Sequence, residues 1–220
     1  MVTQTRQTGQ ASPTKLAFRE KLVAKSQTTD TYLRKLKALH TNLNELDQDN
    51  VDLNSLSTIK KDLLLPGILL HNDRGVKAYA ACCLVDILGL YAPEAPFTED
   101  ELCDIFKFII VQLGKGLKLS EDTYYPQYYH ILESLSSVKS IVLICDLPNG
   151  DDLIHSIFRD FFALIRKEFN MQMENFMAEI LVAIIDECQS FPAKCMDIIL
   201  AQFTDRNIVR ARVYAFIDNA

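Results

Sequence analysis

The sequence predicts an all-α protein of stacked helix pairs, an α-solenoid, on three observations. Apolar residues recur at three- and four-residue steps along most of the chain, and no segment sustains the period-two alternation of a strand. Glycine and proline number only seven each in 220 residues, few for a turn-rich β protein. The helices also fall into pairs, whose second members begin near residues 76, 124, 171 and 208. Two helices repeating at roughly forty residues suggest HEAT or armadillo units. A compact helical bundle is the alternative architecture. With 49% hydrophobic residues, the chain can bury a sizeable core and is no disordered segment.

Residues 1–14, opening MVTQTRQTGQAS, read as a disordered polar leader, and residues 15–220 as the repeat array. From Thr31, Leu33, Leu36, Leu39, Leu43 and Leu46 mark a first helix that DQDN at 47–50 stops. Leu56, Ile59, Leu63 and Leu64 mark a second, closed or kinked at Pro66. The stretch DRGVKAYAACCLVDILGLY carries two apolar stripes, Val76, Ala80, Cys83 and Ile87 beside Leu84, Leu88 and Tyr91. A helix so apolar must be covered on more than one side. Thr98 with Glu101 forms a capping box for the next helix, which buries Leu102, Ile105, Phe106, Ile109 and Leu113 and ends at Gly114 and Gly116.

The pattern then recurs. YYPQYYHILESLSSVKSIVLICDL is helical around Ile131, Leu135 and Val138, and Pro148-Asn149-Gly150 forms a loop. DDLIHSIFRDFFALIRK starts with acids and ends with Arg166 and Lys167, as the helix dipole favours. Met173, Phe176, Ile180 and Ile184 give the buried face of the following helix. Pro192 opens another through Met196, Ile199 and Phe203, and NIVRARVYAFI reads as a last one. HNDRGVKAYAA and FTDRNIVRARV share a theme of an Asp at the turn and a basic residue after it, a pattern that in HEAT units ties successive turns.

Of 23 basic and 29 acidic residues, the first 37 positions hold eight basic and two acidic ones, leaving 15 and 27 for the remainder. A mildly basic arm thus precedes an acidic body. Such an arm suits DNA or an acidic neighbour, but it lacks interleaved aromatics, which favours a solvated leader. No apolar run reaches the length of a membrane span, and the start lacks the apolar core of a secretory signal, so an intracellular protein is expected. The cysteines, Cys82, Cys83, Cys103, Cys145, Cys188 and Cys195, show no CxxC pairing and read as reduced thiols.

Catalytic patterns are missing: no GxSxG, no P-loop, no GxGxxG and no His-rich metal spacing. His40, His71, His130 and His155 are scattered over different helices or turns. Each of His130 and His155 has the means to meet a carboxylate, but a lone half-buried histidine is usually just satisfied. Asp151-Asp152 and Asp186-Glu187 lie at helix ends, where capping or solvation explains them. The expectation is a binding scaffold with no enzyme activity, no cofactor, no metal and no small-molecule substrate.

The stretch YAPEAP, residues 91–96, is the one unusual corner. Ala92 and Ala95 precede prolines and are pushed out of the α region, so the helix must stop near Tyr91. Pro93 and Pro96 then hold an extended, low-entropy connector. A structural corner is sufficient reason for it. Its second reading is a partner contact formed by Tyr91, Ala92, Pro93, Glu94 and Pro96, with Glu94 held outward on ordered backbone. Asp73 and Lys77 are expected at the opposite rim.

GVKAYAACCLVDILGLYAPEAPFTEDELCDIFKFI, followed by YYHILESLSSVKSIVLICDL and DLIHSIFRDFFALI in that order, closely resembles the cohesin-associated sister chromatid cohesion regulators, the precocious dissociation of sisters family. The resemblance covers roughly residues 15 to 203; RNIVRARVYAFIDNA matches less clearly. It implies the N-terminal HEAT repeats of a much longer, non-enzymatic cofactor of the cohesin ring, nuclear and chromosome-associated. Implied partners are the kleisin and SMC subunits of cohesin, the wings apart-like release factor and the cohesion acetyltransferase, with chromatin reached indirectly and no membrane. The family's kleisin surface and inositol-phosphate pocket have no counterpart in these residues. A generic HEAT adaptor for transport or phosphatase assembly is the rival class.

Overall fold

Short polar side chains set where several of the helices begin, because the first amides of a helix have no partner within it. The computed structural model describes residues 12–24, 26–118, 121–165 and 170–204. In α1 (Thr29–Asn44) the Thr28 hydroxyl accepts from the Thr31 amide. Asp47 and Asp52 cap two 3-10 turns, Gln48–Asn50 and Leu53–Leu56. The second of these runs into α2 (Ser57–Leu63). Leu65 precedes a proline and is extended, so the helix stops, and Pro66 becomes the first residue of a new single turn, α3 (Pro66–Leu69). Asp73 caps α4 (Arg74–Tyr91) by accepting from the Val76 amide at 2.9 Å.

The capping box of α5 (Glu99–Gly116) forms as the sequence implies. The Glu101 amide donates to the Thr98 hydroxyl and the Thr98 amide to the Glu101 carboxylate. The segment read as one helix after Pro126 is divided. α6 (Tyr125–Val138) ends at Lys139, whose φ of 57° is left-handed, and a 3-10 turn covers Ser140–Asp146. In that turn Ile141 and Ile144, three apart, share the buried side, as 3-10 geometry requires. α7 (Gly150–Leu164), α8 (Met171–Glu187, capped by Asn170) and α9 (Ala193–Thr204) complete the described elements.

The helices stack in two rows. α1, α4, α6 and α8 pack on one another in turn; α5, α7 and α9 form the second row, and α2 and α3 lie against α4. Sequential stacking of this kind is a solenoid rather than a bundle gathered around one centre. α4 touches α1, α2, α3, α5 and α6, which explains its breadth of apolar surface: twelve of its residues are buried. The Tyr128 ring lies so close to Gly116 that any Cβ there would collide with it.

Packing adds detail to the sequence reading of α8, α9 and the leader. Phe176 is only half-buried, and Met177 takes the inner position on α8. On α9, Cys195 faces the core while Met196 and Phe203 are 48% and 70% exposed. The leader is tied down from Thr14, whose amide donates to the Asn50 carbonyl at 2.7 Å, and Leu16 and Leu22 are buried beyond it. Part of the basic arm is spent internally. Arg34 forms two hydrogen bonds with the Glu20 carboxylate, and Lys35 is buried, donating to the Lys21 carbonyl. Arg166, Lys167 and the NIVRARVYAFI segment lie outside the described residues.

Candidate functional site

Helix α4 ends at Tyr91 as the prolines demand, and Ala92 is extended with ψ 141°. The Ala92–Pro93 peptide is cis. The corner is not the extended connector expected from its prolines. Residues 92–97 bend back, and the Glu94 amide donates to the Tyr91 carbonyl at 3.0 Å.

Residues from forty positions earlier strap this turn in place. The Lys60 ammonium donates to the Pro96 carbonyl at 2.9 Å and lies 4.8 Å from the Tyr91 ring centroid and 5.7 Å from that of Phe97. The Tyr91 hydroxyl donates to the Leu53 carbonyl at 2.9 Å, and the Gln48 amide donates to the Ala92 carbonyl at 2.5 Å. Burial raises the Tyr91 phenol above its usual pKa, so it stays a donor. Of the five candidate residues, Tyr91, Ala92 and Pro96 are half-buried and anchored through these contacts. Pro93 and Glu94 are exposed on top. Gln48, Leu53 and Lys60 were invisible as corner residues, because nothing local in sequence links them to YAPEAP.

At the other end of α4, Asp73 is the cap and Arg74, rather than Lys77, ties one repeat to the next through an ion pair with Asp122. Lys77 instead edges a cleft of about 510 Å³ with Lys107 and Lys115, floored by Leu64, Leu69 and Phe108.

The histidines are not all scattered. His40 of α1 and His130 of α6 both reach Asp86 of α4, each at 2.7 Å, through His40 Nδ1 and His130 Nε2. Burial works against a charged His130, but the hydrogen bond and charge of Asp86, helped by Glu133, outweigh it and raise the pKa above 6.5. Among the described residues, the hydrogen-bond partners of the two imidazoles are the Asp86 carboxylate and, for His40, the Asn44 side chain. Lone Asp86 within CCLVDILGL was the available signal, a carboxylate in the apolar later part of α4. The Cys145 and Cys188 sulfurs also approach, to 3.2 Å. Burial, with the Cys188 contact, pushes the Cys145 thiol up to about 12.

Residues 30–215 match the family model described as sister chromatid cohesion protein PDS5. The chain is 41% identical over 202 residues to the sister chromatid cohesion protein pds5 of Schizosaccharomyces pombe, covering 90% of this chain and 17% of that one. It is 38% identical over 197 residues to PDS5 of Saccharomyces cerevisiae, covering 88% and 15%. With the human PDS5 homolog A it shares 33% over 175 residues, covering 79% and 13%. It therefore spans less than a fifth of the length of these relatives. Among solved structures, it matches a chain of a Pds5–Scc1 complex with a TM-score of 0.81 and 36% identity, over 88% of this chain and 30% of that chain.

Proposed function

The chain belongs to the sister chromatid cohesion protein PDS5 family, and from that premise we propose that it is a HEAT-repeat scaffold that regulates the cohesin ring without chemistry of its own. The observation that carries this reading is the agreement of the whole helix stack with a chain from a Pds5–Scc1 complex. Stacked helix pairs offer long surfaces for protein partners rather than one enclosed pocket. We read residues 15–220 as the N-terminal part of a longer array, working on chromosomes in the nucleus.

Its partners in this reading are the cohesin complex, the wings apart-like release factor and the cohesion acetyltransferase. Support of sister chromatid cohesion and release of cohesin from chromosomes are the two outcomes. The contact is placed at Tyr91, Ala92, Pro93, Glu94 and Pro96. The strapped backbone presents Pro93 and Glu94 outward at little further entropy cost, which favours binding there. A pull-down of cohesin subunits, release factor and acetyltransferase with the purified chain tests it. Capture of at least one of them, weakened by Glu94→Lys, is the expected result. Capture of none, with retention of unrelated acidic proteins, would establish a generic adaptor instead.

A further inference from the structure

We propose that His40, Asp86 and His130 form a binding site for one divalent transition-metal ion of the zinc class, held across α1, α4 and α6, three successive helices of one row. The ligand atoms are already gathered: Nδ1 of His40, a carboxylate oxygen of Asp86 and Nε2 of His130 all lie within 4.8 Å of one another. Two imidazoles and a carboxylate are a ligand set that zinc accepts, with a fourth position left for water. The nitrogens exclude magnesium and calcium as preferred occupants, since those ions take oxygen ligands.

The fit is close. Bonds of about 2.0–2.1 Å around a tetrahedral ion separate neighbouring ligand atoms by roughly 3.3 Å. Each nitrogen now sits 2.7 Å from its Asp86 oxygen. The two nitrogens meet different oxygens of that carboxylate, so seating the ion draws ligand atoms now up to 4.8 Å apart toward one another, an adjustment that rotation of the part-exposed imidazoles supplies. The rings are also correctly placed relative to each other, with centroids 4.7 Å apart and planes at 70°, so that both present nitrogen to the one carboxylate without stacking.

Two surrounding features suit a metal. A ligating histidine needs a partner for its other nitrogen. The Asn44 side-chain amide stands 3.4 Å from His40 Nε2, and a half-turn of that amide offers its oxygen to the N–H. Tyr79 stands edge-on to the His40 ring at 6.0 Å and steadies its plane. The site also has an entrance: the Asp86 side chain is 6% exposed, but those of His40 and His130 are 15% and 28% exposed. An ion and its water can reach the site from solvent.

The consequence is mechanical. The stability of a solenoid is close to a sum of repeat and neighbour-interface contributions. An ion shared by α1, α4 and α6 clamps two interfaces at once and sets the curvature of the stack, while the YAPEAP corner lies elsewhere along α4.

Isothermal titration of the metal-stripped chain with zinc alone, and with cobalt followed by visible absorption, tests the proposal. The expected result is one ion per chain, a tetrahedral cobalt spectrum and a raised thermal midpoint. His130→Gln and Asp86→Asn should each weaken zinc binding at least tenfold. Cys188→Ser should leave it unchanged, which separates this site from the Cys145–Cys188 thiols. Absence of zinc and cobalt binding by the unsubstituted chain would overturn the proposal. So would binding lost in Cys188→Ser but kept in His130→Gln, and since His130 is part-exposed, that variant is expected to fold, as circular dichroism will verify.

Discussion

Lys60 and Pro96, thirty-six residues apart, are joined by a 2.9 Å hydrogen bond from ammonium to carbonyl, over the rings of Tyr91 and Phe97. The corner is therefore a product of α2 as much as of its own prolines. Lys60→Met keeps the aliphatic stem and removes the charge, the hydrogen bond and both cation–π contacts. A loss of about 1–2 kcal/mol in urea unfolding is expected. A change within error would mean that the prolines alone hold the turn.

Glu94→Lys should separate stability from binding. Glu94 is exposed and forms no ion pair among the described residues, so unfolding should shift by no more than about 0.5 kcal/mol. Pro93→Leu should loosen the turn at a cost of about 1 kcal/mol, chiefly by widening the unfolded ensemble. Both should weaken capture of the cohesin release factor or acetyltransferase. If both variants bind as the unsubstituted chain does, the corner is a connector only.

What was legible in the sequence and what was not divide along a physical line. Helix starts rest on local chemistry, so Asp73 and the Thr98–Glu101 box were readable from a few residues. The breadth of apolar surface on α4 likewise announced a helix covered on several sides. The YAPEAP corner was legible as a stop but not as a strapped turn, because Gln48, Leu53 and Lys60 reach it only after α2 docks on α4. The His40–Asp86–His130 cluster was missed for the same reason. Its members are more than forty residues apart, and only stacking in one row brings them together. On α9, periodicity identified the helix but not which of its apolar residues is buried, since spacing alone does not say which stripe meets a neighbour; Cys195 does, and Met196 and Phe203 do not.

The raised pKa of His130 gives a pH dependence of known sign. Asp86 and, more weakly, Glu133 favour the imidazolium in the folded state over the opposition of burial. A group with a raised folded pKa contributes stability that is fully present below its unfolded value, about 6.5, and is lost as pH rises through the folded value. In metal-free buffer, the stability difference between the unsubstituted chain and His130→Gln should therefore shrink as pH climbs from about 6 to 8. Denaturant unfolding at several pH values, with an NMR titration of the ring, measures it. A difference that grows with pH would show that the neutral ring is the favoured form.

Val182 and Ile185 of α8 and Met196, Leu200 and Phe203 of α9 are between 42% and 70% exposed. Exposed apolar side chains on these two consecutive helices favour association. The chain should form dimers or larger species as its concentration rises, and Leu200→Ser with Phe203→Ser should suppress them. Sedimentation velocity gives the answer, and a monomer throughout the concentration range would show that this surface is not adhesive.

Two glycines should respond oppositely to alanine. A Cβ on Gly89 of α4 would stand 3.5 Å from Val138, an ordinary contact, and the residue is helical. Gly89→Ala is expected to stabilise by about 0.5–1 kcal/mol through reduced unfolded-state entropy. At Gly116 the same Cβ would overlap the Tyr128 ring, which is 2% exposed and has no room to swing aside. There the gain in helix propensity is outweighed by overpacking, typically about 1–3 kcal/mol, and the variant should be destabilised. Tyr128→Leu placed beside Gly116→Ala should recover part of that loss by clearing the space the ring occupied. If Gly116→Ala proves as stable as Gly89→Ala, the close approach of Tyr128 to α5 is not a constraint on the stack.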